Sequence, residues 1–142
     1  MLNIIIYITV PVTSVTINPA GDNNVVYIIE GETQTFTCTT DSSRPAAWIQ
    51  WYIGGQNVTN KATPQPPQQD GDKVISSSSL VYAGIYVDYT KSIICEAVNI
   101  EGRLKVKSTE KSLHIQCKLY CLLICSWRIP FACSCFSNKR PS

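Results

Sequence analysis

The sequence Trp48-Ile49-Gln50-Trp51-Tyr52 lies between two isolated cysteines, Cys38 and Cys95. Trp51 follows Cys38 by 13 residues, and Cys95 follows Cys38 by 57 residues. Each of these three positions lies in a short segment in which apolar and polar side chains alternate, and an alternation of period two is typical of a strand with one buried face. The pattern predicts strands around Cys38, Trp51 and Cys95, with these three side chains buried.

The composition supports an all-β fold. The chain has 142 residues with eight prolines and seven glycines, a length that suits one domain with a single core. Val, Ile, Thr and Tyr are common, and no long apolar stripe of period 3.6 is present. These features favour many short strands over helices.

The chain resembles the immunoglobulin superfamily, and within it the constant-like (C2-type) domains of adhesion molecules and receptors such as nectin-like and nephrin-like proteins. The resemblance covers about residues 11–116. The segments that carry it are Glu30-Gly31-Glu32, Phe36-Thr37-Cys38, residues 45–52, Ser79-Leu80-Val81-Tyr82 and residues 88–99. It implies a two-sheet Greek-key sandwich in which a Cys38–Cys95 disulfide joins the sheets and Trp51 packs on that bridge.

Two positions depart from the family pattern. Ile93 occupies the position, two residues before the second cysteine, where the tyrosine of the tyrosine corner is usual. Gln34 lies four residues before Cys38, where an apolar side chain is usual. We therefore expect no tyrosine corner, and a locally weaker core near Gln34.

Three segments are predicted. Residues 1–11 are an apolar leading segment that is either a secretory signal without a basic start or a leading strand. Residues 12–116 form the immunoglobulin-like domain, and residues 117–142 form an irregular, cysteine-rich tail. Within the domain we expect residues 12–17 and 25–29 to be successive parts of one edge, and residues 39–45 and 61–73 to be loops.

The tail differs sharply from the domain in composition. Arg128 and Pro130 interrupt its apolar stretch, which argues against a membrane-spanning helix. A zinc site and acylation next to basic residues are alternatives to a disordered or non-native terminus, which we favour. Five cysteines cannot all pair within the tail: Cys117, Cys121, Cys125, Cys133 and Cys135.

Four side chains are the predicted binding residues. Period two turns Trp48 and Tyr52 away from the core, and an exposed tryptophan beside a tyrosine is typical of an interface hot spot. Trp48 could alternatively cover the end of the sandwich. Arg103 and Lys105 lie with Lys107 on one face of the last hairpin, where the alternative is a solvated edge that discourages strand addition.

Two short motifs also bear on function. Asn57-Val58-Thr59 is an acceptor sequon for N-linked glycosylation. Asp70-Gly71-Asp72 offers only two carboxylates, too few for a calcium site with six to eight oxygen ligands, and is interpreted as a turn.

The sequence argues against catalysis and against nucleic-acid binding. The single histidine has no predicted partner for a Ser-His-Asp, Cys-His or paired-carboxylate arrangement, and no glycine-rich phosphate loop is present. Residues 1–116 carry eight basic and ten acidic side chains, without the basic stripe that nucleic-acid binding requires. We therefore predict no enzyme activity, no cofactor, no resident metal and no small-molecule substrate.

The predicted function is protein recognition outside the cell. A disulfide of this kind persists in oxidising compartments, so we expect an extracellular or plasma-membrane location. The resemblance implies adhesion or receptor-type binding to a surface protein or to a second copy, as one domain of a longer chain. The alternatives are a secreted immune-type or glycan-binding domain and a metal-binding protein that uses the cysteine tail.

Overall fold

The computed structural model describes residues 4–101 and 103–117, which form two β-sheets packed face to face. The strands are β1 (Val15–Asn18), β2 (Val25–Ile29), β3 (Thr33–Ser43), β4 (Trp48–Ile53), β5 (Gln56–Asn57), β6 (Ala62–Pro64), β7 (Gln68–Asp70), β8 (Lys73–Ala83), β9 (Ser92–Val98), β10 (Val106–Lys107) and β11 (Lys111–Gln116). Short 3-10 helices occupy Thr59–Lys61 and Tyr86–Asp88.

The strands are divided between two sheets, as the resemblance implies. One sheet has the order β1-β3-β8-β6, with β7 also paired to β8. The other has the order β2-β11-β9-β4-β5, with β10 also paired to β9. Cys38 lies in the first sheet, and the paired residues Trp51 and Cys95 lie in the second. The expected all-β sandwich is confirmed.

The core lies between the sheets around the cysteine pair. Cys38 and Cys95 form a disulfide with their Cα atoms 6.4 Å apart. Trp51 is fully buried beside them, and its Nε1–H donates to Ser78 Oγ at 3.1 Å. The polar tip of the buried indole is therefore satisfied, as burial requires. Other fully buried side chains are Phe36, Ile93, Ala97 and Leu113.

The N-terminal edge differs from the prediction because the chain changes sheets. β1 pairs antiparallel with β3, whereas β2 pairs parallel with β11 in the opposite sheet. Asp22 and Val25 exchange two backbone hydrogen bonds, of 3.0 and 2.8 Å, in the turn between them. At Gly21, where φ is +71°, a Cβ atom would lie 2.4 Å from the Val25 carbonyl oxygen. Alternation gives no sign of this change because both strands have one buried face.

Two segments predicted as loops contain strands. β3 extends to Ser43 because an irregularity between Thr39 and Ser42 shifts the register without ending the pairing with β8. Residues 61–73 contain β6 and β7, which pair along β8. Both are three-residue edge strands with almost entirely exposed side chains, so neither shows the periodicity that identifies a strand from sequence. Gly71, with φ +64°, lies in the predicted turn between β7 and β8.

Tyr82 of β8 stabilises the connection between β8 and β9, where the tyrosine of the usual tyrosine corner is absent. The Tyr82 hydroxyl donates to Asp88 Oδ2 at 2.9 Å and accepts the Ile85 N–H at 3.4 Å. Ile93 contributes only apolar packing in the core. The corner is thus stabilised by a side chain of β8, the strand that precedes it.

The predicted tail falls outside the described residues from position 118 onward, as do four of its five cysteines. Within residues 4–101 and 103–117, no helix has the length and apolar character needed to cross a membrane. The same residues contain no cluster of three or more His, Cys, Asp or Glu side chains placed to hold a metal ion.

Candidate recognition face

The outer surface of the sheet β2-β11-β9-β4-β5, called the recognition face below, carries the side chains that β4 turns away from the core. Trp48 is 68% exposed at the start of β4. Gln50 and Tyr52 are half-buried on the same side, with Glu96 and Ile94 of β9 as their paired neighbours. The structure therefore places Trp48 and Tyr52 on one surface, at about 13 Å along the strand from each other.

A polar cluster occupies the middle of this face. Glu96 is only 8% exposed, and its carboxylate lies 3.6 Å from the Lys105 Nζ and 3.1 Å from the Lys107 Nζ. Lys105 also donates to Gln50 Oε1. Burying a charged group is costly unless the group is paired and hydrogen-bonded. Lys105, predicted as a binding residue, therefore holds Glu96 in place within the domain.

The turn between β9 and β10 presents two more exposed side chains. Arg103 is exposed, and its N–H donates to the Ile100 carbonyl at 3.2 Å. Leu104, which was not among the predicted binding residues, is 93% exposed. An apolar residue among polar turn residues was the available signal. An exposed leucine at a turn tip can be buried by a partner at little structural cost.

Aromatic rings form a group at the other edge of the recognition face. The His114 ring lies 5.4 Å from the Tyr27 ring and 5.1 Å from the Tyr89 ring, measured between centroids. Tyr89 in turn stacks on Tyr86 at 5.8 Å. This group was missed because Tyr27 meets His114 only through the parallel pairing of β2 with β11.

The glycosylation sequon lies on the edge strand β5. Gly54 and Gly55, with φ of +55° and +80°, form the turn that joins β4 to β5. Positive φ at both central residues is the two-residue hairpin geometry that glycine adopts without strain. Asn57 is exposed and pairs with Tyr52.

The arrangement suits contact with another protein. Exposed aromatic and apolar side chains surround a polar cluster whose charges are already paired. Interfaces of this kind bury aromatic anchors, while the charged groups around them add specificity more than affinity. The face is an open surface rather than an enclosed site.

A family model described as the CD80-like C2-set immunoglobulin domain matches residues 16–117. The chain belongs to this family of C2-type immunoglobulin domains. It is a C2-type domain of the immunoglobulin superfamily, as the resemblance implied.

One individual protein is also similar to part of the chain. Cell adhesion molecule 2 of Xenopus tropicalis is 34% identical over 68 residues, which are 48% of this chain and 16% of that protein. The chain thus matches only a small part of that relative's length.

Solved structures share the fold. The structure of Rst D1-D2 has a TM-score of 0.67 at 22% identity, over 76% of this chain and 51% of that one. The ectodomain of mouse nectin-like molecule 4 has a TM-score of 0.58 at 22% identity, over 77% of this chain and 35% of that one. The fourth constant domain of nurse shark IgNAR has a TM-score of 0.52 at 20% identity, over 73% of this chain and 94% of that one.

Proposed function

We propose that this domain is a non-catalytic protein-recognition module that acts outside the cell or on its surface. It binds a surface protein, with a second copy of the chain as the first partner to test. The observation that carries the proposal is the 68% exposed Trp48 on the outer side of the sheet β2-β11-β9-β4-β5.

Three features support this use of the recognition face. The backbone of Trp48 is paired to β9, so the main chain that carries this side chain is already in place when a partner binds. The paired charges of Glu96, Lys105 and Lys107 lie between Trp48 on β4 and the Tyr27–His114 contact on β2 and β11. The similarity to Cell adhesion molecule 2 of Xenopus tropicalis supports an adhesive role.

The location is supported by the cysteine pair. Cys38 and Cys95 are bonded in the centre of the core, and such bonds persist in secreted and surface proteins but are rare in the cytosol. The similarity to an adhesion molecule agrees with an extracellular position.

The test is self-association of beads coated with protein made through a secretory pathway. Trp48→Ala should weaken the association roughly 30-fold, equivalent to a hot-spot loss of about 2 kcal/mol. Val81→Ala is the matched control, since Val81 is 62% exposed on the outer side of the opposite sheet. It should leave the association unchanged.

If the beads do not self-associate, the same variants are compared for binding to a displayed set of cell-surface ectodomains. Loss of binding with Trp48→Ala there supports recognition of a different protein. Equal binding by Trp48→Ala and the parent in both assays, or weakening by Val81→Ala alone, contradicts the proposed face. Binding to a glycan array without any protein binding would favour a glycan-recognition domain instead.

A further inference from the structure

The sequon asparagine lies on the recognition face beside one of its aromatic side chains. β5 contains only Gln56 and Asn57, and Asn57 pairs directly with Tyr52 of β4. Directly opposed residues of an antiparallel pair project to the same side of the sheet, with Cβ atoms about 5 Å apart. Since Tyr52 projects outward, Asn57 projects outward as well.

The local hydrogen bonds leave the amide nitrogen of Asn57 available. Asn57 Oδ1 accepts the Thr59 N–H at 3.0 Å, and the Thr59 hydroxyl accepts the Trp51 N–H at 2.9 Å. These bonds fix the sequon against β4. No hydrogen bond within the described residues uses Asn57 Nδ2, which is the atom that an N-linked glycan would occupy.

Resting on the proposed function, we propose that Asn57 carries an N-linked glycan that covers the Tyr52 end of the recognition face. Nδ2 gives up a proton and bonds to the anomeric carbon of an oligosaccharide delivered on a lipid diphosphate. The bond from that carbon to the diphosphate oxygen breaks, its electron pair leaves with the lipid diphosphate, and the proton from Nδ2 passes to the solvent. Protein partners are thereby confined to the rest of the recognition face, which includes Trp48, the β9–β10 turn and the edge at Tyr27.

Distances within the sheet decide what the glycan covers. Tyr52 is the direct cross-strand neighbour, whereas Trp48 lies about 13 Å further along β4. Tyr27 lies on β2, the opposite edge of the same sheet, at four strand spacings or about 19 Å. A bulky, hydrated glycan attached at β5 therefore shields Tyr52 first. It also blocks the open edge of β5 from pairing with another strand.

Substitutions in the sequon separate the glycan from the fold. Asn57→Gln removes the acceptor and keeps an amide side chain, whereas Thr59→Ser keeps both the sequon and a hydroxyl for the Trp51 N–H. Thr59→Ala removes the sequon but also that hydrogen-bond acceptor, so it serves only as a second unglycosylated form. Asn57→Gln and Thr59→Ser are the matched pair.

The experiment measures occupancy of Asn57 by peptide mass spectrometry and then footprints the surface with hydroxyl radicals. Protein from a secretory pathway is compared with Asn57→Gln, with Thr59→Ser and with protein treated with a glycan-removing amidase. We expect Asn57 to be occupied in the parent and in Thr59→Ser. Tyr52 oxidation should rise severalfold in Asn57→Gln and after amidase treatment, while Tyr27 oxidation stays constant.

An unoccupied Asn57 in the parent, or equal Tyr52 oxidation with and without the glycan, overturns the proposal. Neither readout uses a partner, so failure here is distinct from failure of the proposed function. If bead association depends on Trp48 while Asn57 is bare, recognition stands and the glycan proposal falls. If Tyr52 is shielded but Trp48→Ala changes no binding, the glycan stands and the recognition face falls.

Discussion

At the scale of single residues, the polar groups of the large buried side chains Trp51 and Tyr82 have hydrogen-bond partners. Trp51 donates to Ser78 at 3.1 Å, and Tyr82 donates to Asp88 at 2.9 Å. Burial raises the pKa of Tyr82 above its ordinary value, and the hydrogen bond to Asp88 raises this pKa further. Asp88 also lies 2.6 Å from the Lys91 Nζ, so the tyrosine joins a small polar group at the corner.

Tyr82→Phe should lower the free energy of unfolding by about 1–2 kcal/mol at pH 7, since it removes a hydrogen bond to a charged acceptor. The folded state holds the Tyr82 proton more tightly than the unfolded state. Its contribution is therefore complete below the ordinary tyrosine pKa of about 10 and is lost as the pH rises above it. Urea unfolding at neutral and at alkaline pH measures both effects.

The difference between parent and Tyr82→Phe should narrow above pH of about 10, because only the parent loses this contribution there. If the difference in unfolding free energy between the two proteins stays constant at alkaline pH, ionisation of the Tyr82 hydroxyl does not affect stability. Tyr27→Phe is the control, since Tyr27 is exposed on β2.

Single residues were predictable where a repeating pattern constrained them. Alternation placed Trp51, Cys95 and Ala97 inside and Trp48 outside, because a one-residue shift would reverse every side chain of the strand. Periodicity could not place Leu104, since a turn has no period, and only its apolar character among polar turn residues was a signal. The Tyr27–His114 contact was not predictable, since parallel pairing joins residues distant in sequence.

At the scale of elements, the irregular part of β3 fastens the N-terminal strand to its sheet. Asp41 lies where the register shifts, and its carboxylate accepts the Thr13 N–H at 3.0 Å and the Thr13 hydroxyl. Its own N–H donates to the Ser14 carbonyl at 3.1 Å. Burial alone would raise the pKa of Asp41, but the hydrogen bonds to its carboxylate outweigh burial and lower it.

Asp41→Asn should lower the free energy of unfolding at pH 7 by about 1 kcal/mol, because an amide accepts these hydrogen bonds less strongly than a carboxylate. A lowered pKa means that the stabilisation is present above the ordinary aspartate pKa of about 3.9. It is lost as the pH falls through the folded-state value. Urea unfolding from neutral pH down to about pH 3 measures the effect.

Asp72→Asn is the matched control. Asp72 pairs with Arg44 at 3.0 Å, but its carboxylate is exposed, and such surface pairs contribute little. Equal acid sensitivity in Asp41→Asn and the parent would rule out this role for Asp41.

Elements were predictable in proportion to their burial pattern. β4, β9 and β11 bury alternate side chains, apart from the additional buried Glu96 of β9, and lie close to their predicted positions. β6 and β7 expose almost all their side chains, so their sequences lack the alternation of apolar and polar residues by which a strand is recognised. The separation of β1 from β2 into opposite sheets was missed because strand pairing is a property of the assembled fold.

At the scale of the whole molecule, the Cys38–Cys95 bridge joins the two sheets through the core. It closes a segment of 57 residues. On the chain-entropy model this restraint on the unfolded state is equivalent to about 4 kcal/mol. The net stability of a domain is only about 5–15 kcal/mol, so the bridge is a large part of it.

The double variant Cys38→Ala/Cys95→Ala should lose about 4 kcal/mol of unfolding free energy. Urea unfolding followed by tryptophan fluorescence measures the loss. Dithiothreitol supplies the companion condition, which should destabilise the parent and leave the double variant unchanged. A loss below about 1 kcal/mol would mean that packing around Trp51 alone restrains the sheets.

The fold class was predictable because Cys38, Trp51 and Cys95, with the alternation around them, carry the resemblance to immunoglobulin domains, and that resemblance implies which strands face one another. The recognition face was predictable only in part. β4 contributed Trp48 and Tyr52, but the engagement of Lys105 with Glu96 depends on how β10 pairs with β9. Charge counted along the sequence does not show which charges are already paired.

The parallel pairing of β2 with β11 also determines how the domain responds to mechanical tension. The two strands are matched over five residue pairs, from Val25 with Ser112 to Ile29 with Gln116. A pulling force applied between residues 24 and 116 drives them past each other lengthwise. The hydrogen bonds across this junction lie across the pull and share the load, whereas an antiparallel hairpin pulled from its ends opens one bond at a time. The junction between β2 and β11 therefore resists tension that is applied along the strands.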